Sequence, residues 1–349
     1  MAHLEYWLQI ENQMWDTAPN GINRLIGETL ARGANGMFMP LASQALIMRR
    51  YTANWAAPDD HAVNAWDVNE PQPAQTRGTI PGAVLEAKVG DDVVIHFRNM
   101  DTRQAIADSA RVHSLHVRGV TASALCDGTY PLSPPDPRQA NKQGDRVAPG
   151  DTFDYFYTVP HLANAGAWLY YDHSIAHVEN VLAGAFGVML IRQGGEARSQ
   201  NPAQMLRGPT DTPTHFTNLL PPPSAVEHVV VIHELAGAGE CINGRQLLGN
   251  TPTLLTRMNT RTKFRVLNLT TRAQSFYLHA HRWRIGNEWT DAETIPAGGG
   301  ITFEVLEGTA ENGGGNGEWR FVFDALSELS GSLVVTDGGA LTLGMGAPR

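Results

Sequence analysis

Short runs of β-branched and aromatic residues recur along this chain, each closed by a turn signal, the pattern of a β-sandwich or Greek-key barrel. Residues 83–89 end in the turn Gly90-Asp91-Asp92 and are followed by the run 93–97. Pro149-Gly150-Asp151 leads into 152–157, whose alternation suits a half-buried strand. A second series opens at 228–232 and continues through 263–267, 275–278, 301–305 and 319–323. At 349 residues the chain suits two packed domains of about 150 residues each better than one small sandwich. Between the two series, 194–225 is rich in Pro, Gly, Ser, Thr and Asn and contains Pro221-Pro222-Pro223, the composition of a linker. The expected organisation is a first domain over 1–195, a linker over 196–224 and a second domain over 225–349. The stretch 12–81 is longer than an edge strand needs, and the spacing of Leu25, Ile26, Thr29 and Leu30 predicts an inserted helix or loop. The tail after Thr336 is Gly-rich. The two halves look like weakly related copies of one unit.

Charge and cysteine usage narrow the classes of function. A formal charge of −9 argues against nucleic acid and anionic membrane surfaces as partners, since both select basic patches. Two cysteines, Cys126 and Cys241, are too few for a disulfide framework, fall in different expected domains and read as free thiols. The opening Met1-Ala2-His3-Leu4-Glu5 lacks the basic stretch and apolar run of a signal peptide. The chain as it stands is expected in the cytoplasm, or in the periplasm or outside the cell if a leader has been removed. The longest apolar run, 181–191, contains two glycines and is far shorter than the ~20 residues that span a bilayer.

Thirteen histidines are more than such a composition predicts, and several fall on predicted strands. Four segments stand out. They are Leu115-His116-Val117-Arg118-Gly119, Trp168-Leu169-Tyr170-Tyr171-Asp172-His173, Phe276-Tyr277-Leu278-His279-Ala280-His281-Arg282-Trp283, and Trp319-Arg320-Phe321-Val322-Phe323-Asp324. The glycine run Gly313-Gly314-Gly315-Asn316-Gly317 has no strand-to-helix context for phosphate binding, and there is no Gly-X-Ser-X-Gly or Cys-X-X-Cys motif.

In order, in separation and in flanking residues, these segments resemble the copper-binding motifs of the two-domain multicopper oxidases. That family holds three coppers with four His-X-His pairs, each on one strand so that both imidazoles face the same way. Cys126-Asp127-Gly128-Thr129 stands where the family has Ser-Asp-Gly-Thr, and residues 7–16 look like the opening strand of ceruloplasmin-type domains. The resemblance covers about 84–335 and implies an all-β fold of two tandem cupredoxin-type Greek-key β-sandwich domains. It also implies a homotrimer in which ligands of the two domains meet across a subunit interface, so that His116 and His173 of one subunit approach His279 of its neighbour.

The ligand positions depart from the family. Histidine persists at His116, His173 and His279, while Arg118, Tyr171, Tyr277, Val322 and Asp324 stand where the resemblance places the others. At the blue-copper site, Phe323 replaces the cysteine, and Gln274 and Glu328 replace the histidines. A phenyl ring cannot ligate copper, so ordinary laccase activity is not expected. Three imidazoles from three strands suit one metal with open positions, copper by resemblance, though zinc or iron fits the same donors. Arg118 suits a substrate carboxylate or another anion, with an ion pair to Asp324 as the alternative. Tyr171, Tyr277 and Asp324 are the candidate catalytic groups, with aromatic packing as the alternative for the tyrosines. His177, His281 and Glu179 are secondary candidates, and His113 faces away on an ideal strand.

Three functions follow. The first is a metal-dependent oxidoreductase, with copper expected, acting on a small substrate beside one metal. The second is a non-redox enzyme using Lewis-acid or acid–base chemistry in the same cavity. The third is a non-catalytic copper-binding protein, and histidines left over from a decayed site are the bland alternative to all three.

Overall fold

The structure, a computed structural model, describes residues 2–59, 78–103, 110–131, 137–194, 196, 225–324 and 329–337. Apart from Glu196, the expected linker lies outside the described residues, as do Glu328 and the tail from 338 onward. The described residues within Met1–Trp15, Leu41–Val63 and Ala74–Gln200 form one compact unit. Those within Asp16–Pro40 and Asn201–Arg349 belong to a second.

The first unit has two four-stranded sheets. One runs Ala45–Tyr51, His3–Gln13, Asp92–Met100, Thr152–Thr158, and the other Val84–Lys88, Phe186–Arg192, Gly166–Tyr171, His116–Val117. His3–Gln13 pairs parallel with Asp92–Met100, and Val84–Lys88 pairs parallel with Phe186–Arg192. Parallel neighbours need a crossover, so strands adjacent in sequence separate into different sheets. Val84–Lys88 and Asp92–Met100, joined by a turn at Gly90 (φ 96°), are such a pair. The buried cluster includes Leu8, Ile10, Leu85, Ile95, Phe97, Leu115, Tyr155, Tyr170 and Met189. Each large apolar side chain removed from water there contributes about 1.5–3 kcal/mol. The strand Thr152–Thr158 alternates as its sequence predicts, with Tyr155 and Tyr157 buried and Phe156 exposed.

The second unit repeats this plan with four- and five-stranded sheets. Ala225–Leu235 pairs parallel with Arg261–Leu269, and Thr253–Arg257 pairs parallel with Ser330–Thr336. Its core is aromatic. Trp283 stacks on Phe303 at 4.0 Å between centroids, Phe303 stacks on Phe264 at 5.0 Å, and Phe276 meets Phe323 edge-on at 5.4 Å.

Residues 16–40 join this second unit and not the strands that flank them in sequence. The Arg24 amide donates to the Leu248 carbonyl at 2.7 Å, the Asn20 amide donates to Asn250 Oδ1 at 2.8 Å, and Arg24 forks onto Glu318 at 2.7 and 2.8 Å. No helix forms over 25–30, where a two-residue hairpin pairs Ile22–Asn23 with Glu28–Thr29 around Gly27 (φ 70°). The apolar spacing there has no surface to cover, and Ile26 is 64% exposed. Both cysteines are free thiols. Among the described residues no helix is long and apolar enough to cross a membrane.

Candidate metal centre

The strand His116–Val117 lies antiparallel to Gly166–Tyr171, with His116 opposite Tyr171 and Val117 opposite Tyr170. Side chains alternate across a sheet, so Val117 and Tyr170 enter the core while His116 and Tyr171 share the other face. His173, two residues beyond Tyr171, returns to that face. The rings of His116 and His173 are 5.6 Å apart between centroids, and Tyr171 is 5.7 Å from each. Arg118 completes the group: its amide donates to the Leu169 carbonyl at 3.0 Å, and its charge draws the Tyr171 phenol down while burial pushes it up more strongly.

The loop after Ala124 orients this face. His116 Nδ1 donates to the Asp127 carbonyl at 3.0 Å, and because a carbonyl only accepts, the proton sits on Nδ1 and Nε2 carries the free lone pair. The Tyr130 amide donates to the His173 carbonyl at 2.9 Å, so the same loop ties both histidines. Lys142 holds the loop through Asp127 and Thr129, each at 2.7 Å. Gly128 (φ 78°) has no substitute here, since a Cβ would come within 2.0 Å of the Leu115 carbonyl oxygen. From the core side, the Leu115 amide donates to Tyr155 Oη at 3.0 Å and Tyr157 Oη donates to the Leu115 carbonyl at 2.9 Å.

Asp172 points the opposite way from its neighbours Tyr171 and His173. It accepts from His113 Nδ1 at 2.8 Å, Asn180 Nδ2 at 2.6 Å, and the Ser114 and Ser174 amides at 3.0 and 2.9 Å. His113 Nε2 lies 3.0 Å from Asp101, itself gripped by Arg103. All three members of this Asp101–His113–Asp172 chain are sealed from solvent. The two carboxylates raise the His113 imidazole against the pull of burial, and both carboxylates are held below the ordinary range despite theirs. Motif reading placed His113 off the site. Nothing in the sequence pairs it with two aspartates.

His173 is the exposed face's unsatisfied member. Its Nδ1 is buried without a hydrogen-bond partner of normal geometry. Burial chiefly lowers its pKa, a backbone hydrogen bond opposes this, and the His177 and His116 rings add to the lowering, which favours the neutral ring with one nitrogen lone pair. His177, on the short helix His177–Leu182, stacks on His173 at 4.7 Å but directs Nδ1 to the Ser174 carbonyl at 3.1 Å. A buried nitrogen without a partner costs free energy that an ion would recover. The donors present, neutral imidazoles with a phenol beside them, fit copper, zinc or iron. No three His, Cys, Asp or Glu among the described residues converge on one ion position.

Four of the seven candidate residues, His116, Arg118, Tyr171 and His173, therefore lie together in the first unit. Tyr277, His279 and Asp324 belong to the second. Tyr277 lies opposite Val322 on the neighbouring strand and is half-buried, while His279 follows the strand end and is exposed. Asp324 (φ 55°) turns to Arg272, which also grips Glu240, and its carboxylate is held low by that guanidinium. His281 is structural: buried, it pairs with Glu307 at 2.9 Å and with the His279 carbonyl at 2.8 Å. Phe323 sits in the aromatic core, and Gln274 donates to Glu240 at 2.8 Å. The Cys241 thiol, pushed up to about 12 by burial, is inert. Copper-loaded protein is thus expected to lack the intense blue thiolate band in its visible spectrum, and such a band would mean a cysteine site elsewhere.

Two sandwiches of one plan, the first carrying imidazoles on its outward strand face, define a cupredoxin-type protein. Residues 59–196 match the multicopper oxidase family model. Ceruloplasmin of Rattus norvegicus is 30% identical over 164 residues, which cover 44% of this chain but 14% of ceruloplasmin. Among solved structures, a multicopper oxidase superposes with a TM-score of 0.57 at 15% identity, over 95% of this chain and 89% of that one. A copper nitrite reductase from Nitrosomonas europaea gives 0.58 at 13%, over 96% and 94%. Residues 59–196 are thus similar to a multicopper oxidase domain, and the fold over nearly the whole chain is like that of a solved multicopper oxidase. It spans only a small part of the ceruloplasmin it matches.

Proposed function

We propose that this protein is a copper-dependent oxidoreductase with a single-metal centre on His116 and His173, acting on a small anionic substrate received beside Arg118. The observation that carries this reading is the pair of imidazoles 5.6 Å apart, one with Nε2 left free by the Asp127 carbonyl and the other with a buried nitrogen that lacks a hydrogen-bond partner of normal geometry. Two imidazoles at that spacing can share one ion at metal–nitrogen distances of about 2.0 Å. Copper, when bound, supplies single-electron exchange. The chain's own contribution is to orient the donors, exclude bulk water and hold the substrate. Asp127 fixes the tautomer of His116, Asp172 anchors the backbone from which Tyr171 and His173 project, and Arg118 places a positive charge beside Tyr171. With Phe323 and Gln274 at the blue-copper positions, electrons come directly from the substrate, which favours a small molecule over a bulky phenol.

Metal-free protein titrated with copper(II) should bind about one ion tightly per chain by elemental analysis. Uptake of zinc alone, or of nothing, would remove the redox reading. Arg118→Ala should keep that copper yet weaken binding of a small carboxylate such as acetate by about tenfold or more, read by calorimetry. An unchanged acetate affinity would take the substrate role from Arg118. The homotrimer, and the part of His279 in metal binding, rest on the resemblance alone and belong to the same proposal. Light scattering should report three copies per particle, and a monomer at micromolar concentration would withdraw both.

A further inference from the structure

We infer that Tyr171 is a direct copper ligand, its phenolate oxygen taking a place that the family gives to an imidazole; this rests on the copper reading above. Four observations carry it. Tyr171 is the cross-strand partner of His116, so the two side chains leave the sheet side by side on one face. Its ring stands 5.7 Å from both His116 and His173, which themselves lie 5.6 Å apart, so the three rings form a nearly equilateral group. No three His, Cys, Asp or Glu among the described residues converge on one ion, so a third donor from the described residues of this unit is of another kind. His177, the nearest further imidazole, commits Nδ1 to the Ser174 carbonyl.

The Tyr171 hydroxyl also differs from other tyrosines of this unit. Tyr155, Tyr157 and Tyr170 each direct theirs to a backbone carbonyl, at Gly144, Leu115 and Ala83. Tyr171, half-buried, makes no hydroxyl hydrogen bond to a described residue. An ordinary tyrosine phenol, with a pKa of about 10, carries its proton at neutral pH. Binding copper(II) forms the Cu–O bond and breaks O–H, and the proton leaves to solvent; no electron moves in this step.

The test uses the full chain loaded with copper(II). The wild type should show a phenolate-to-copper charge-transfer band at shorter wavelength than a thiolate band, with enhanced phenolate vibrations in resonance Raman. Tyr171→Phe keeps the ring's packing and removes only the oxygen. It should abolish both signals, bind copper more weakly by about tenfold or more, and release about one proton fewer per copper at neutral pH. A copper protein without the band, or a band that survives Tyr171→Phe or vanishes in Tyr277→Phe, overturns the assignment while leaving the copper centre standing. A wild type that takes up no copper overturns the centre itself.

Discussion

His173→Ala is expected to lower bound copper from about one ion per chain to nearly none, with affinity falling roughly a hundredfold or more, while far-ultraviolet circular dichroism stays unchanged. The imidazole contributes little to the fold: its Nδ1 is buried without a hydrogen-bond partner, so truncation removes an unsatisfied group and not a structural bond. It contributes much to an ion, because losing one of two imidazole donors loses chelation as well as a bond. His116→Ala should behave alike, and the double variant should be no worse than either alone, since residues acting as one unit are not additive. His177→Ala is the informative comparison. Its ring stacks on His173 but points Nδ1 at the Ser174 carbonyl, so copper content should hold. Full copper in both His116→Ala and His173→Ala would show that these histidines are relics.

His113→Ala should be the most destabilising single change in the first unit, by roughly 3–5 kcal/mol in chemical denaturation. It leaves Asp101 and Asp172 buried without the imidazolium that joins them. Arg103 still holds Asp101, and Asn180, Ser114 and Ser174 still hold Asp172, which keeps the loss within that range. The pH dependence has a definite sign. His113 is raised in the folded state, so its contribution is fully present below its unfolded value of about 6.5 and is lost as pH rises through the folded one. The two aspartates are lowered, so theirs is present above about 3.9 and is lost as pH falls. The difference between wild type and variant should therefore be widest between about pH 4 and 6.5 and narrow on both sides. A difference that is flat with pH would mean that His113 is a neutral packing group.

The architecture was legible because strands advertise themselves by alternation. Thr152–Thr158 shows buried Tyr155 and Tyr157 alternating with exposed Thr152, Asp154 and Phe156. The common face of His116, Tyr171 and His173 was legible for the same reason, since a period of two needs no knowledge of the partner strand. Where local pattern misled, a partner surface was missing. The spacing at Leu25, Ile26, Thr29 and Leu30 left helix or loop open, and the helix does not form because 16–40 is held by Asn250, Leu248 and Glu318, more than two hundred residues away. Asp324, a candidate site carboxylate in the sequence, is turned by a left-handed backbone onto Arg272, a partner that the local pattern does not announce.

The sequence by itself determined the two-sandwich class and which strand positions carry histidine, because side-chain identity and alternation are local properties. Only the tertiary structure decided which of those positions meet within one unit and what holds them there. The Asp127 carbonyl that fixes His116, the Gly128 approach to Leu115 and the burial of His113 between two aspartates all depend on backbone groups or burial. Every residue type carries the same carbonyl, and burial is a property of the packed chain, so the string of residues records neither.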